Sequence, residues 1–232
     1  MSIDSLAARL KIFTEEVTVY PVSCEKLARG RSDLEWLTAV LAGGARIVQL
    51  RDKESDDRLL HEKALAFRRL TRQAGALLII NNRLDIALLT GADGIHLGNR
   101  DLPAAEARKL APELLIGVSA NTPDQAASAR QRGASYFNIG PIYPTATKAG
   151  LKEFLGRDAI PAYRALSDLP CTVMGGIKLE HVDALVRMGA HRLAVVTALS
   201  EAPDIAAETG RWIEAINTAR SKTGTNPEKN LG

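Results

Sequence analysis

The stretch "GARIVQLRDK", Gly44–Lys53, combines a helix stop, a short apolar run and a charged end. Glycine just past a helix can adopt the left-handed conformation that caps the last carbonyls, so Gly44 predicts the end of a helix. The run "RIVQL" that follows is rich in strand-forming residues, and charged residues come directly after it. This stretch therefore predicts a helix, a buried strand and a polar loop in that order.

The same signature recurs along the chain. Gly-Ala precedes an apolar run at Gly75-Ala76 ("LLII"), Gly91-Ala92 ("DGIHL"), Gly133-Ala134 ("SYFNIG") and Gly189-Ala190 ("HRLAVV"). Helix starts are also marked, because Ser32 with Glu35 and Thr122-Pro123 with Gln125 have the spacing of capping boxes. With "VTVYPV", "LLIGVS" and "CTVMGG", the chain has about eight predicted strands, most of them followed by a helix.

Strands that alternate with helices predict βαβ units and a parallel sheet. The sheet could be a closed barrel or an open doubly wound sheet. No GxGxxG turn follows the first strand, and about eight units in roughly 220 residues show no linker, which favours the barrel. We therefore predict an α/β fold, a (βα)8 TIM barrel in a single domain over residues 1–220, with a disordered polar tail over residues 221–232.

Composition excludes several classes of function. The 30 basic residues are interspersed with 27 acidic ones and aromatics make up only 4%, so no nucleic-acid surface is expected. No apolar run is long enough for a membrane span and the N-terminus lacks a signal-peptide core. Cys24 and Cys171 lie far apart, as in a reduced protein. We expect a cytoplasmic protein that binds small molecules; the sequence leaves a homo-oligomer open.

In a parallel barrel the loops that follow the strands share one face, where active sites lie. Gln49, Arg51 and Lys53 alternate at the end of the second strand and should point to one side. An amide and two cations together suit a phosphate group. A solvated charged loop is the alternative, because lysine and arginine are mostly exposed.

Polar residues also follow the next strands. Asn81 and Asn82 come after the third, and Asp101 after the fourth could bind Mg²⁺ or cap a turn. Ser119 follows the fifth, near a helix start, where a hydroxyl caps the helix or meets an anion. His96 lies within an apolar strand, where a hydrogen-bonded core histidine is expected more often than a general base.

The last three strand ends complete the pattern. The stretch "NIGPIYPTATKAG", Asn138–Gly150, changes from an apolar strand to Thr145, Thr147 and Lys148, which is either an ordinary polar loop or an anion site. Gly175-Gly176 and Thr197 follow the seventh and eighth strands, where this fold usually binds phosphate. No Ser-His-Asp arrangement and no His/Cys metal cluster is apparent in the sequence.

With these residues assembled, the chain resembles the thiamine phosphate synthase family from about Thr18 to Ser200. The motifs that carry the resemblance are "VQLRDK", "IINNRLDIAL", "GADGIHLGNRDLP", "IGVSANT", "NIGPIYPTATK", "VMGGI" and "AVVTALS". It implies a transferase that couples hydroxymethylpyrimidine pyrophosphate with thiazole phosphate, using Mg²⁺, to give thiamine phosphate and pyrophosphate. In the family the pyrophosphate leaves first and the thiazole nitrogen captures the resulting pyrimidine cation.

The resemblance also implies a role for each site residue. Arg51, Lys53, Ser119 and Lys148 are expected to act in catalysis by holding the pyrophosphate, together with Asn81. Gln49 would contact the pyrimidine, and Asp101 with Asn82 would bind Mg²⁺. The thiazole phosphate would be held by Thr145, Thr147, Gly176 and the amides of Val196 and Thr197. Lys148→Ala should therefore lower the rate more than it weakens thiazole phosphate binding.

The chain departs from the family pattern at three places. The family usually has aspartate at the position of Asn82, a Thr-Asp pair after the first strand and glutamine at the position of Asn99. The loss of a carboxylate at Asn82 leaves open a catalytically impaired barrel that binds thiamine precursors. A thiazole tautomerase-like protein would need a histidine where this chain reads "SANT", and an isomerase or epimerase would have only Asp52 or Asp93 as a base.

Overall fold

The computed structural model describes residues 5–145 and 154–224. Eight strands in these residues form one parallel sheet, in the ring order β1-β8-β7-β6-β5-β4-β3-β2. The strands are β1 Val19–Pro21, β2 Ile47–Leu50, β3 Leu77–Asn81, β4 Gly94–Leu97, β5 Leu115–Ala120, β6 Tyr136–Ile139, β7 Cys171–Met174 and β8 Leu193–Val195. A bridge between Val22 and Gln49 joins the two ends of the sheet, so the predicted TIM barrel is confirmed.

The described residues hold ten α-helices, most of which cover the outside of the sheet. They are α1 Leu6–Glu15, α2 Asp33–Ala42, α3 Asp57–Ala74, α4 Leu84–Thr90, α5 Ala104–Leu110, α6 Pro123–Ala127, α7 Ala159–Arg164, α8 Val182–Arg187, α9 Thr197–Ser200 and α10 Ile205–Thr223. The last helix reaches Thr223, so residues 221–223 are helical and not part of a tail as predicted. No helix among these has both the length and the apolar character of a membrane span.

The predicted helix boundaries are confirmed. Ser32 and Thr122 both form capping boxes, with Glu35 and Gln125 respectively. All five glycines of the Gly-Ala signature have positive φ. At Gly75 this left-handed conformation ends α3 and lets its amide reach the Arg72 and Thr71 carbonyls. Local sequence signals therefore mark the start of five of the eight strands.

Alternation along each strand separates two hydrophobic cores. Outward residues such as Val48, Ile80 and Phe137 pack under the helices. Inward residues such as Ile47, Leu77 and Leu115 fill the barrel, and α1 closes its amino-terminal end with Phe13. Inward positions nearer the carboxyl ends are mostly polar, so the interior changes from an apolar floor to a polar mouth.

Candidate functional site

A cavity of about 360 Å³ opens at the carboxyl ends of the strands. Ten of the residues predicted to bind ligands or metal line it. They are Gln49, Arg51, Lys53, Asn81, Asp101, Ser119, Thr145, Gly176, Val196 and Thr197. The sequence thus identified residues that the fold brings to one place, whereas the role of each residue stays a prediction.

The polar residues at the end of β2 face the cavity, as the alternation along the strand predicts. Gln49 is buried inside the barrel, and Arg51 and Lys53 follow it at the cavity wall. The Ser23 hydroxyl accepts a hydrogen bond from the Arg51 amide at 3.0 Å, which ties this loop to the end of β1. Desolvation lowers the pKa of the Lys53 ammonium, although the nearby Asp101 carboxylate acts in the opposite direction. A cation short of counter-charge in a cavity favours an anionic ligand.

Asn82 and Asp101 lie together at the ends of β3 and β4. The Asn82 amide nitrogen donates to Asp101 Oδ1 at 3.2 Å, and the Gly98 amide donates to Asp101 Oδ2 at 2.7 Å. Asp101 therefore caps its turn, which is one of the two roles predicted for it, and it also lines the cavity. One carboxylate and one amide side chain offer oxygen atoms of the kind that Mg²⁺ prefers, so the pair fits the ion with one charge fewer than two carboxylates.

Ser119 and His96 meet inside the cavity. His96 Nε2 is 3.2 Å from Ser119 Oγ, and His96 Nδ1 is 3.4 Å from the Tyr136 hydroxyl. His96 is buried and bonded on both ring nitrogens, as expected of a core histidine. His96 nevertheless lines the cavity, so it is both a buried core residue and part of the candidate site.

The seventh and eighth strand ends form another part of the wall. Gly175 and Gly176 both have positive φ, and a side chain on Gly176 would overlap the Pro144 carbonyl and Tyr143. Glycine is therefore required where this loop packs against the loop after β6. Thr147 and Lys148, which the sequence assigned to the two ligands, lie outside the described residues.

Sequence reasoning missed part of the cavity lining. Tyr20, Asn138 and Thr172 line it from inward positions of β1, β6 and β7. The Thr172 hydroxyl donates to Asn138 Oδ1 at 2.8 Å, and both side chains are buried. A signal was available, since each residue is a polar group at an inward position of an otherwise apolar strand.

Asp52 and Asp93, the two carboxylates that an isomerase or epimerase could use as a base, form ion pairs away from the cavity. Asp93 is buried near the amino-terminal end of β4, where it pairs with Arg68 at 2.5 Å and with Arg9 at 3.4 Å. Asp52 pairs with Lys63 at 2.7 Å and accepts from the Ser55 hydroxyl. Neither lines the cavity. An isomerase or epimerase base is therefore missing from both proposed positions.

One cluster of three carboxylates stands out in the part of the chain that the structure describes. Glu25, Asp33 and Asp52 lie close enough to share a cation. The Lys63 ammonium already binds all three, at 2.6, 3.1 and 2.7 Å respectively. This group is separate from Asn82 and Asp101, and the lysine supplies its counter-charge.

Comparison with known proteins identifies the family to which the chain is similar. A family model described as thiamine monophosphate synthase matches residues 19–199. The chain is 43% identical to a thiamine-phosphate synthase of Moorella thermoacetica over 88% of this chain and 98% of that protein. It is 41% identical to one of Methanospirillum hungatei over 85% of this chain and 97% of that protein.

A solved structure extends the similarity to the fold. The thiamine phosphate pyrophosphorylase of Pyrococcus furiosus superposes with a TM-score of 0.82 at 27% identity, covering 89% of this chain and 98% of the other. The residues matched by the family model include all eight strands and every strand end that lines the cavity. On this sequence and structural similarity, the chain belongs to the thiamine monophosphate synthase family.

Proposed function

We propose that this chain is a thiamine phosphate synthase that joins hydroxymethylpyrimidine pyrophosphate to thiazole phosphate and releases pyrophosphate. The observation that carries the proposal is that polar groups from two parts of the barrel face one cavity. Arg51 and Lys53 follow β2, and Asn81 and Ser119 lie in the last residues of β3 and β5, whereas Gly176 and Thr197 follow β7 and β8. A reaction of two anionic substrates needs two such groups of donors around one space.

The first group suits the departing pyrophosphate. When the bond between the pyrimidine methylene and the pyrophosphate oxygen breaks, both electrons go to the oxygen and negative charge grows there. Arg51 and Lys53 supply fixed positive charge, and Asn81 and Ser119 supply hydrogen-bond donors. Lys148 is proposed to add a further cation. These side chains stabilise the leaving group without forming a covalent bond to it.

The second group suits the substrate that stays. Thr145, Thr147, Gly176 and the amides of Val196 and Thr197 are proposed to hold the thiazole phosphate. Gln49 is proposed to contact the pyrimidine. With both substrates held in one cavity, the thiazole nitrogen can form its bond to the pyrimidine methylene as that carbon becomes cationic. Positioning thereby replaces an activated protein nucleophile.

Mg²⁺ is proposed to bind Asp101 and the Asn82 side chain. When bound, the ion would neutralise part of the charge on the pyrophosphate oxygens. Asp101 faces the same cavity as Arg51 and Lys53, which is where that charge would develop. The chain's own contribution would be to hold the Asp101 carboxylate, through the hydrogen bond from the Gly98 amide, at the cavity wall where the ion would bind.

The experiment incubates the purified protein with both substrates, with and without Mg²⁺, and follows thiamine phosphate and released pyrophosphate. Product formation that requires metal is expected. Arg51→Ala should lower kcat/KM roughly a hundredfold, since it removes a charged donor from the leaving group. Arg130→Ala is the matched control, because Arg130 is exposed and pairs with Asp168 outside the cavity. No product despite retained substrate binding would favour the precursor-binding alternative suggested by Asn82.

A further inference from the structure

A continuous hydrogen-bonded chain crosses the barrel beneath the proposed pyrophosphate site. The Asn81 amide nitrogen donates to Gln49 Oε1 at 3.1 Å, and Gln49 Nε2 donates to the Tyr20 hydroxyl at 3.0 Å. The Tyr20 and Tyr136 hydroxyls are 3.0 Å apart. Tyr136 then reaches His96 Nδ1, and His96 Nε2 reaches Ser119 Oγ. The chain begins and ends at residues that line the cavity.

The backbone register explains why Tyr136 can reach His96. His96, Gly117 and Tyr136 are consecutive partners across β4, β5 and β6. A side chain on Gly117 would overlap the Tyr136 ring. Glycine at this position therefore lets the ring extend across β5, and Phe13 packs against it with ring centroids 4.5 Å apart. The tyrosine is fixed between the sheet and the apolar plug from α1.

With the Asn81 and Gln49 amides oriented as in these two hydrogen bonds, donation runs from Asn81 toward Ser119. An amide nitrogen cannot accept, so the Tyr20 oxygen accepts from Gln49 and its proton turns to Tyr136. Tyr20 and Tyr136 are at most 1% exposed, and burial raises the pKa of both hydroxyls, so each keeps one proton to donate. Tyr136, which accepts from Tyr20, must then donate to His96 Nδ1. In a neutral imidazole the other nitrogen, Nε2, carries the proton.

This direction has a consequence at the cavity. With donation in this direction, the 3.2 Å contact has His96 Nε2 donating to Ser119 Oγ, so the hydroxyl proton of Ser119 is not used by His96. With the opposite direction His96 Nε2 would accept that proton and Ser119 would offer the cavity no donor. An anionic ligand requires donors, which favours the direction that starts at Asn81.

We propose that Tyr20 and Tyr136 are positioning residues, which hold His96 as its Nε2-protonated tautomer and thereby turn the Ser119 hydroxyl proton toward a bound pyrophosphate group. The identity of that group rests on the proposed function. The tautomer and the direction of the chain do not depend on it. Tyr136 acts through His96 and touches no reacting atom.

The tautomer can be measured directly by ¹⁵N NMR of the histidine side chains, with His96→Gln used to assign the signal. The wild-type protein should show His96 protonated at Nε2 alone. Tyr136→Phe, which removes the donor to Nδ1, should abolish this fixed preference. Tyr163→Phe is the matched control, since the Tyr163 hydroxyl donates to the Asn121 carbonyl from α7 and is not part of the chain, and it should leave the tautomer unchanged.

Binding of inorganic pyrophosphate in the presence of Mg²⁺ gives the second readout. Tyr136→Phe should weaken it roughly tenfold, the usual effect of losing one hydrogen bond to a charged group. Ser119→Ala should weaken it similarly. The double variant should lose no more than Ser119→Ala alone, because both changes remove the same donor.

The proposal is overturned if the wild-type His96 is protonated at Nδ1 or at both nitrogens, or if the two losses in pyrophosphate affinity add. If Tyr136→Phe instead disrupted the structure in general, its melting temperature would fall. Adding it to Ser119→Ala would then weaken pyrophosphate binding further. Failure of the synthase assay alone would leave both readouts intact, so it would count against the proposed function and not against the hydrogen-bonded chain.

Discussion

At the scale of single residues, Asn82 is where this chain differs most from what its family resemblance implies. Asn82 has a φ of 52°, in the left-handed region that asparagine and aspartate tolerate better than other side-chain-bearing residues. Its amide donates to Asp101, an interaction that an ionised aspartate could not make. Compared with the aspartate that the resemblance implies, Asn82 offers a neutral group that donates a hydrogen bond to the Asp101 carboxylate.

Asn82→Asp should raise Mg²⁺ affinity about tenfold and lower stability when the ion is absent. Two carboxylates at this distance repel each other until a cation binds, whereas together they offer a harder and more charged site. Calorimetric titration with Mg²⁺ and melting curves with and without the ion measure both effects. The expected pattern is a lower melting temperature without Mg²⁺ and a larger gain on its addition.

Asn99→Asp is the control for Asn82→Asp. Asn99 is exposed in the same loop as Asp101 and also lines the cavity, and its side chain bonds Asn121, so the change adds the same charge near the site at a position directed to the loop after β5. If both variants gained affinity equally, general electrostatics and not ligation would explain the result. A full wild-type rate that Asn82→Asp leaves unchanged would argue against the impaired-barrel alternative.

At the scale of elements, the loop after β2 is fixed to α3. Asp52 accepts from the amides of Glu54 and Ser55 at 2.9 and 3.0 Å and from Lys63 of α3. The Lys63 ammonium also binds Glu25 and Asp33, and these three partners raise its pKa against the effect of burial. Arg51 and Lys53 flank Asp52, so this cluster holds the segment from which both cations reach the cavity.

Lys63→Met should lower the free energy of unfolding by about 3 kcal/mol, because it leaves three neighbouring carboxylates without their cation. It should also raise KM for the pyrophosphate substrate as the loop loosens. Lys63→Arg keeps the charge and should recover much of the stability. Denaturant unfolding together with steady-state kinetics measures these effects.

Lys109→Met serves as the comparison for Lys63→Met. Lys109 is exposed and pairs with Glu106 within α5, so its loss should change stability by less than about 0.5 kcal/mol. Equal effects of the two substitutions would mean that the Lys63 cluster contributes no more than a surface ion pair.

The elements also show what sequence could and could not predict. Gly-Ala pairs and capping boxes act through neighbouring residues, so the strands, the helix ends and the polar strand ends were predictable. The hydrogen-bonded floor was not, because it depends on which residues meet across strands. Tyr136 looks like part of an apolar run, and only its pairing with Gly117 reveals that it reaches His96. The inward position of Tyr20 could be read from the alternation in β1, but its contact with Tyr136 could not.

At the scale of the whole molecule, the two ends of the barrel differ in chemistry. The carboxyl ends present polar groups to an open cavity, whereas buried charges at the amino-terminal end are used for structure. Asp93 there binds Arg68 and Arg9, and Arg192 donates to the Phe13 and Thr14 carbonyls of α1. Substitutions at this end should therefore affect stability before they affect catalysis.

His191, before β8 at the amino-terminal end, makes stability depend on pH. Burial, together with the positive charges of Arg220, Arg164 and Arg192, lowers the pKa of His191 from 6.5 to about 4. Because the unfolded chain takes up this proton near pH 6.5 and the folded chain does not until about pH 4, stability is lost as pH falls between these values. The expected loss in the free energy of unfolding from pH 7 to pH 5 is about 2 kcal/mol.

His191→Gln should remove that part of the pH dependence. Subtracting its denaturant-unfolding free energies from those of the wild type at each pH cancels the contributions of all other groups. A difference that does not change between pH 7 and pH 5 would show that His191 titrates alike in both states.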